Sequence, residues 1–295
     1  MKKSWLIVVA LLIFLSGVGL FLFRKGGRKA LPSSPGSGQV AVQKGIKTAE
    51  VTQTEKPDIE VVAENLEIPW EVAFLPARAG EANGEILVTE RPGRLLKIGK
   101  DRKVYEISGV RHVGEGGLLG LALDPNFDSN KLIYLYLTST QTGEVVNRVE
   151  RYRLEDDSLT NREVIVEGIA GASNHDGGRI KFGPDGFLYI TTGDAQESQL
   201  SQDTNSLNGK ILRVTADGDT PADNPFGNAV YSYGHRNVQG IAWDSEDRLW
   251  ATEHGRSGVL SGLDELNLIE KGKNYGWPEI QGDETKTNMV SPVIH

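Results

Sequence analysis

The sequence predicts an all-β fold of the propeller type, and three observations carry that prediction. After residue 59 the apolar period of about 3.6 residues that marks helices is nearly absent. A short apolar strand, a turn and a second apolar strand recur instead, starting near residues 70, 119, 178 and 239. The 35 glycines among 295 residues suit the many tight turns of such a chain. A strand-based repeat of about 50 to 60 residues is typical of propeller blades.

The four repeated segments are residues 70–90, 119–138, 178–194 and 239–255. The turns inside the last three contain Asp124 and Pro125, then Pro184, Asp185 and Gly186, then residues 244–247. Asp, Pro and Gly favour tight turns, so each segment is predicted to be a hairpin. A non-repeating β-sandwich is the alternative, but it does not account for four similar hairpins at near-regular spacing.

The N-terminus is predicted to be a membrane anchor. Residues 5–23 are uncharged and, at about 1.5 Å per helical residue, would span about 28 Å of a bilayer core about 30 Å thick. This run exceeds the apolar part of a usual signal peptide, so an anchor is favoured over a cleaved signal. Basic residues flank both ends, and their count does not decide the orientation. Residues 24–58, rich in Gly, Ser, Pro and Lys, are predicted to be a flexible linker, and residues 59–295 to be the propeller.

Composition excludes several classes of function. The formal net charge is −8, and because the first 29 residues hold six basic and no acidic residues, the remainder carries −14. Such an acidic body argues against a nucleic-acid partner. The absence of cysteine excludes disulfides, thiolate metal sites and cysteine nucleophiles. The motifs of P-loop enzymes, zinc proteases and serine hydrolases are also absent from the sequence.

Two loops carry a candidate base and its surroundings. The glycine loop 114–120 contains Glu115 and is either a turn before a buried strand or part of a site. The loop 173–179 contains Asn174 and His175, and Asp194 ends the hairpin that follows. A histidine before one strand and an aspartate after the next can meet at one rim of a blade, as a base oriented by a carboxylate. A surface histidine in a polar loop remains the alternative.

Two further loops are candidates for binding. Residues 233–240 contain Arg236 and Asn237, which could hold a carboxylate-bearing ligand or form a salt bridge between blades. Residues 253–256, 264–265 and 274–278 are rich in carboxylates and loop carbonyls without thiolates. Such oxygen ligands suit a hard cation such as Ca²⁺, although the ligand number is not evident from the sequence.

Together, the segments SNHDGGRIKFGPDGFLYITTGD, GKILRV, GHRNVQG and DELNLIEKGKNYGWP resemble the soluble quinoprotein glucose/sorbosone dehydrogenases, which include aldose sugar dehydrogenases dependent on pyrroloquinoline quinone (PQQ). The resemblance covers residues 59–295. It implies a six-bladed β-propeller with PQQ over the channel mouth and calcium polarising the quinone. The implied reaction oxidises an aldose sugar at its anomeric carbon to the lactone.

The resemblance also implies roles for individual residues. His175 matches the general base that takes the proton of the anomeric hydroxyl, and Asp194 matches the carboxylate that orients it. The remaining matches are cofactor contacts at Glu115, Arg236 and Asn237, calcium contacts at Gly255, Arg256, Glu265 and Tyr275, and sugar contacts at Asn174 and Gln199. Glu115 and Asn174 depart from the family, which usually has glutamine at the first position and, in the glucose enzymes, aspartate at the second.

The resemblance raises an expectation about the extent of the propeller. Only four hairpin units are visible where the family has six blades, so we expect the 295 residues to be a truncated propeller lacking about two repeats. The expected setting is a single-pass membrane protein with its propeller on the periplasmic or extracellular side, which passes electrons to a cytochrome or a quinone. A calcium-dependent, lactonase-like hydrolase and a non-catalytic binding propeller are the alternative functions. The pair Arg236 and Asn237 favours the dehydrogenase, because a lactonase does not need a carboxylate-gripping pair.

Overall fold

The computed structural model describes residues 60–77, 84–156, 158–256 and 262–295. These residues form four antiparallel sheets in succession along the chain, with very little helix. The predicted all-β propeller arrangement is therefore confirmed for the described part of the chain. The predicted anchor at 5–23 and linker at 24–58 lie outside these residues. Within the four described ranges, no helix combines the length and apolar character needed to cross a bilayer.

Each sheet is formed by strands that are consecutive in sequence. The first contains β1 (Pro69–Phe74), β2 (Ile86–Glu90), β3 (Arg94–Ile98) and β4 (Arg102–Glu106). The second contains β5 (Leu118–Leu123), β6 (Leu132–Gln141), β7 (Glu144–Leu154) and β8 (Leu159–Ala170). The third contains β9 (Ile180–Phe182), β10 (Leu188–Thr191), β11 (Lys210–Val214) and β12 (Val230–Tyr233). The fourth contains β13 (Val238–Trp243), β14 (Leu249–Glu253) and β15 (Glu265–Ile269). Two short helical turns are α1 (Phe127–Asn130) and a 3₁₀ turn (Ser198–Ser201).

The predicted repeats coincide with the starts of the sheets, and aspartates shape the first turns of the second, third and fourth sheets. Asp124 Oδ1 accepts a hydrogen bond from the Asn126 backbone N–H at 2.8 Å, in the connection between β5 and β6. Asp244 Oδ1 accepts from the backbone N–H groups of Glu246 at 2.9 Å and Arg248 at 3.0 Å, between β13 and β14. These side chains replace backbone partners in the turn, which is why aspartate recurs there.

The core lies between successive sheets. In β6, Leu135 faces Leu87 and Leu95 of the first sheet, whereas Tyr134 and Tyr136 face the third sheet. Both faces of β6 are covered, and this explains its continuous apolar sequence. Burial of each such side chain is worth about 1.5–3 kcal/mol relative to exposure. A third cluster, between the third and fourth sheets, contains Tyr189, Ile211, Val238 and Ile241 among others.

The second sheet differs from the simple hairpin that the sequence predicts. Its segment was expected to end near residue 138, but β6 continues to Gln141, and β7 and β8 have 11 and 12 residues. Thr140 and Gln141 at the end of β6 and Glu144 at the start of β7 are exposed and polar. These positions lack the apolar signal that marks a buried strand.

Candidate active site

The polar loops converge because of how the strands are connected. The first strand of the second sheet, β5, lies beside the first strands of its two neighbours, β1 and β9. Pairing is antiparallel, so the loop before a first strand and the loop after a second strand meet at one end of the sheet. A bridge between Gly193 and Asn237 joins these loops of the third and fourth sheets.

His175 and Asp194 form an imidazole–carboxylate pair at this end. His175 Nδ1 lies 2.7 Å from Asp194 Oδ1, and the Asp194 side chain is 1% exposed. The same Oδ1 accepts a hydrogen bond from the Gln196 backbone N–H at 2.8 Å. With Nδ1 bonded to the carboxylate, Nε2 is the nitrogen left to accept a proton from a ligand. The structure thus brings together the two residues predicted as base and orienting carboxylate.

The backbone around this pair is strained and tightly packed. His175 has a φ of 64°, in the left-handed region that non-glycine residues seldom adopt. A Cβ on Gly193 would lie 1.8 Å from the His175 carbonyl oxygen, so only glycine fits where the two loops touch. Strain of this kind, held by surrounding contacts, is common at functional sites.

Glu115 connects three parts of the site. Its Oε2 accepts from the His175 backbone N–H at 2.9 Å and from Asn237 Nδ2 at 3.3 Å, and its Oε1 accepts from Asn174 Nδ2 at 3.1 Å. Burial by itself would raise the pKa of Glu115, but the hydrogen bonds from His175 and Asn174 hold this pKa below its ordinary value. Glu115 is therefore an anion that fixes the loop of the candidate base.

Arg236 and Asn237 lie beside this anion. Arg236 is 7% exposed and donates from Nη1 to the His254 carbonyl at 3.2 Å, and its backbone N–H donates to the Glu253 carboxylate. Asn237 Oδ1 accepts from the Gly177 backbone N–H at 3.0 Å. Both side chains are thus set in place by other loops of the same end.

These groups open into one cavity of about 470 Å³. Its lining residues are Glu115, Asn174, His175, Arg236, Asn237, His254, Gly255, Arg256, Gly262 and Asp264. The mixture of guanidinium, carboxylate, amide and carbonyl groups suits a ligand that carries anionic groups of its own and a bound cation. A larger cavity of about 630 Å³ lies between the third and fourth sheets beside Tyr189 and Trp243, but none of the predicted site residues line it.

The predicted calcium contacts fall into two groups. Gly255 and Arg256 line the cavity, and the Gly255 backbone N–H donates to Asp264 Oδ1 at 2.9 Å. A Cβ on Gly255 would lie 1.9 Å from the Leu263 carbonyl oxygen, so the loop passes here without a side chain. Loop carbonyls beside a carboxylate are the hard oxygen donors that calcium prefers, and this donor set fits such an ion.

Glu265 and Tyr275 form the second group, and both lie near His235, on whose ring the Tyr275 ring stacks with centroids 4.8 Å apart. Glu265 begins β15 and accepts hydrogen bonds from Asn267 Nδ2 at 3.2 Å and from the Gly282 backbone N–H at 3.3 Å. Burial, together with the neighbouring Glu253 carboxylate, raises its pKa. The Tyr275 hydroxyl donates to the Leu268 carbonyl at 2.6 Å, near the opposite end of β15. Across the residues described here, no group of three or more His, Asp or Glu side chains is arranged to hold a metal.

Gln199, the predicted sugar contact, lies on the 3₁₀ turn and is exposed. It is not among the residues that line the cavity. Gln196 lies nearer to the candidate base, because its backbone donates to Asp194 and its side chain contacts Ser173.

Sequence reasoning missed several residues of the site. Trp277 donates its indole N–H to Asp194 Oδ2 at 2.8 Å. His235 is fully buried, with Nδ1 at 2.9 Å from Glu253 Oε2 and Nε2 at 2.9 Å from Ser232 Oγ. The sequence shows Trp277 in the loop 274–278 but no sign of its partner, because the two residues are 83 positions apart.

The fold and site define a β-propeller protein with a base-bearing polar cavity at one end of its sheets. The sequence profile described as Glucose / Sorbosone dehydrogenase matches residues 66–293. The chain therefore belongs to the glucose/sorbosone dehydrogenase family, as its motifs predicted.

Individual relatives agree with this assignment. The chain is 37% identical over 238 residues to the aldose sugar dehydrogenase YliI of Escherichia coli, covering 75% of this chain and 62% of that protein. It is 31% identical over 268 residues to quinoprotein glucose dehydrogenase B of Acinetobacter calcoaceticus, covering 78% and 54%. The structure of the PQQ-bound form of aldose sugar dehydrogenase from Streptomyces coelicolor superposes with a TM-score of 0.73 at 41% identity, covering 79% of this chain and 69% of that one. The chain thus spans less than two thirds of the length of these two curated relatives.

Proposed function

We propose that this chain contributes the base and part of the cofactor site of a PQQ- and calcium-dependent dehydrogenase that oxidises an aldose at its anomeric carbon to the lactone. The observation that carries the proposal is the His175–Asp194 pair, 2.7 Å apart, in the same cavity as Arg236 and Asn237. The names of the relatives, an aldose sugar dehydrogenase and a quinoprotein glucose dehydrogenase, support the same reaction.

His175 acts as the general base. Its Nε2 accepts the proton of the anomeric hydroxyl as the C–H electron pair leaves as hydride and the C–O bond becomes the lactone carbonyl. Asp194 holds the ring through Nδ1 and stabilises the imidazolium that forms. Glu115 fixes the base through the His175 backbone N–H, so that the imidazole keeps its orientation during proton transfer.

The proposed cofactor contacts come from the rim of the cavity. PQQ, when bound, supplies the two-electron acceptor for the hydride. Arg236 and Asn237 would hold its carboxylate and carbonyl oxygens, since a guanidinium pairs well with carboxylates. The carbonyls of Gly255 and Arg256 would hold Ca²⁺ at the same edge. Glu265 and Tyr275 remain the proposed second calcium-binding pair.

The cellular setting is also proposed. Residues 5–23 would anchor the chain in the cell membrane, with the propeller on the periplasmic or extracellular side, where a cytochrome or a quinone would take the electrons. Protease added to cells with an opened outer envelope should digest the propeller. Full protection of the propeller would contradict this orientation.

The function is tested by reconstituting the protein with PQQ and Ca²⁺ and following reduction of an artificial dye by a panel of aldoses. PQQ and Ca²⁺ should also raise the melting temperature, since ligands that bind the native state stabilise it. His175→Ala should lower the rate of dye reduction. His112→Ala is the matched control and should not, because His112 is an exposed histidine outside the cavity. Lactone hydrolysis without PQQ would favour a hydrolase instead, and PQQ binding without turnover would favour a binding propeller.

A further inference from the structure

Trp277 and His175 contact the two oxygens of a single carboxylate. The Trp277 indole N–H donates to Asp194 Oδ2 at 2.8 Å, and His175 Nδ1 lies 2.7 Å from Asp194 Oδ1. Asp194 is 1% exposed, so solvent contributes little to stabilising its charge. The charge on Asp194 is therefore shared among the imidazole, the indole and the Gln196 backbone N–H.

The indole is held firmly in this position. The Trp277 backbone N–H donates to the Gly234 carbonyl at 2.9 Å, and its own carbonyl accepts from Gln202 Nε2 at 2.6 Å. The Arg236 guanidinium lies 5.4 Å from the centre of the indole ring, within the range of a cation–π contact. Trp277 thus contacts both the carboxylate behind the candidate base and the arginine proposed to hold the cofactor.

We propose that Trp277 is a positioning residue that sets the basicity of His175 through Asp194, an inference that rests on the proposed function. A hydrogen bond to a carboxylate stabilises its negative charge. With the indole N–H in place, Asp194 attracts the imidazole proton less strongly than it would alone. Trp277 therefore keeps His175 unprotonated at a lower pH and fixes the plane of the carboxylate that orients it.

The variant Trp277→Phe removes the N–H and keeps an aromatic ring beside Arg236. The midpoint of the His175 titration, followed by NMR without sugar or cofactor, should move to higher pH by about half a unit. The acid limb of kcat/KM for sugar oxidation should move in the same direction. The other titratable and charged groups around the cavity stay unchanged in this variant: Glu115, Asp176, Arg236, His254, Arg256 and Asp264.

Trp250→Phe is the matched control. Its indole N–H also donates to an aspartate, Asp244 Oδ2, at 2.8 Å, but in the turn between β13 and β14 and outside the cavity. This variant should leave the His175 titration unchanged. In the unmodified protein, the chemical shift of the Trp277 indole N–H should change with pH at the same midpoint as His175. The chemical shift of the Trp250 indole N–H should not.

The outcomes separate this inference from the proposed function. A His175 midpoint that is the same in Trp277→Phe and the parent would overturn the positioning role. If Trp277→Phe does not fold, the parent protein provides the test. A Trp277 indole N–H chemical shift that does not change as His175 titrates would also overturn the positioning role. If the midpoint moves but no aldose is oxidised, the positioning role stands and the proposed function fails.

Discussion

Glu115 and His175 lie in the loops that lead into two different sheets, yet the Glu115 carboxylate accepts a hydrogen bond from the His175 backbone N–H at 2.9 Å. The same carboxylate binds the side-chain amides of Asn174 and Asn237. This carboxylate places a negative charge at the edge of the candidate cavity. The charge tightens the loop of the candidate base and also opposes an anionic ligand in the same cavity.

Glu115→Gln should therefore weaken the fold slightly and strengthen PQQ binding. Glutamine offers one acceptor oxygen where the carboxylate offers two, so at least one of the three hydrogen bonds is lost. After allowance for solvent screening the loss of unfolding free energy should be about 1 kcal/mol or less. Because the folded-state pKa of Glu115 is lowered, its stabilisation exists above the unfolded pKa of about 4.3 and disappears as the pH falls through the folded value.

Urea unfolding at pH 7 and below pH 4, with a PQQ titration at pH 7, checks this expectation. Glu144→Gln, an exposed glutamate on β7, is the control. PQQ binding that weakens in Glu115→Gln would mean that the carboxylate helps to hold the cofactor.

His175→Ala should lower kcat by about 10²–10⁴-fold with PQQ binding largely kept, because it removes the proposed general base. Asp194→Asn should cause a smaller loss, since the imidazole remains but its Nδ1 partner is changed. Steady-state kinetics of dye reduction in the reconstituted protein measures both effects. An unchanged kcat in His175→Ala would place the base elsewhere.

The sequence predicted the sheets and the His175–Asp194 pair because both depend on short-range patterns. Turn residues recur at near-regular spacing, and the two residues flank a single hairpin, 19 positions apart. The contact between Asp194 and Trp277 joins residues 83 positions apart, and that between Glu115 and Asn237 joins residues 122 apart. Such contacts depend on how separate sheets pack, which no local pattern encodes.

Gln199 and Gln196 differ for a local reason. Both are glutamines in one polar loop, and the turn after Asp194 brings the backbone of Gln196, not of Gln199, to the Asp194 carboxylate.

Asp176→Asn should stabilise the protein at neutral pH. Asp176 is 2% exposed, its Oδ1 accepts from Asn147 and Ala172, and its Oδ2 is buried without a hydrogen-bond partner in the described part of the chain. Burial, with the Glu115 carboxylate nearby, raises its pKa. The folded state then holds this proton more tightly than the unfolded state, so stability falls as the pH rises through the folded pKa. Asparagine keeps the Oδ1 contacts and removes the charge.

Unfolding in urea at pH 7 should show a gain of about 1 kcal/mol in Asp176→Asn, and the gain should vanish below pH 4. Asp244→Asn is a control with the opposite expected sign, because a hydrogen bond from Trp250 lowers the pKa of Asp244 and so stabilises its charged form. That variant should lose stability at pH 7. A gain in Asp176→Asn that is the same at both pH values would exclude the charge as its cause.

Lys210→Met tests a buried ammonium group that supports the loop next to the site. Lys210 is fully buried, and its Nζ donates to the carbonyls of Leu200 at 2.7 Å, Ser201 at 3.0 Å and Asn208 at 2.6 Å. Burial lowers its pKa to about 7, although the Asp203 carboxylate opposes the shift. The Ser201 hydroxyl in turn donates to the His235 carbonyl at 2.7 Å, directly before Arg236.

Between pH 7 and about 10 the unfolded chain holds the Lys210 proton and the folded chain does not, so this residue makes stability rise with pH. Lys210→Met should remove that rise, and its loss of unfolding free energy relative to the parent should be largest at pH 10, because the carbonyls lose their donor there while no cost of a buried charge is relieved. Urea unfolding of parent and variant at pH 7, 8.5 and 10 measures the difference directly. Lys181→Met, an exposed lysine on β9, is the control and should follow the parent. If Lys210→Met keeps the stability and the pH slope of the parent, the three carbonyls do not depend on the ammonium, and the loop before Arg236 is held by its other contacts.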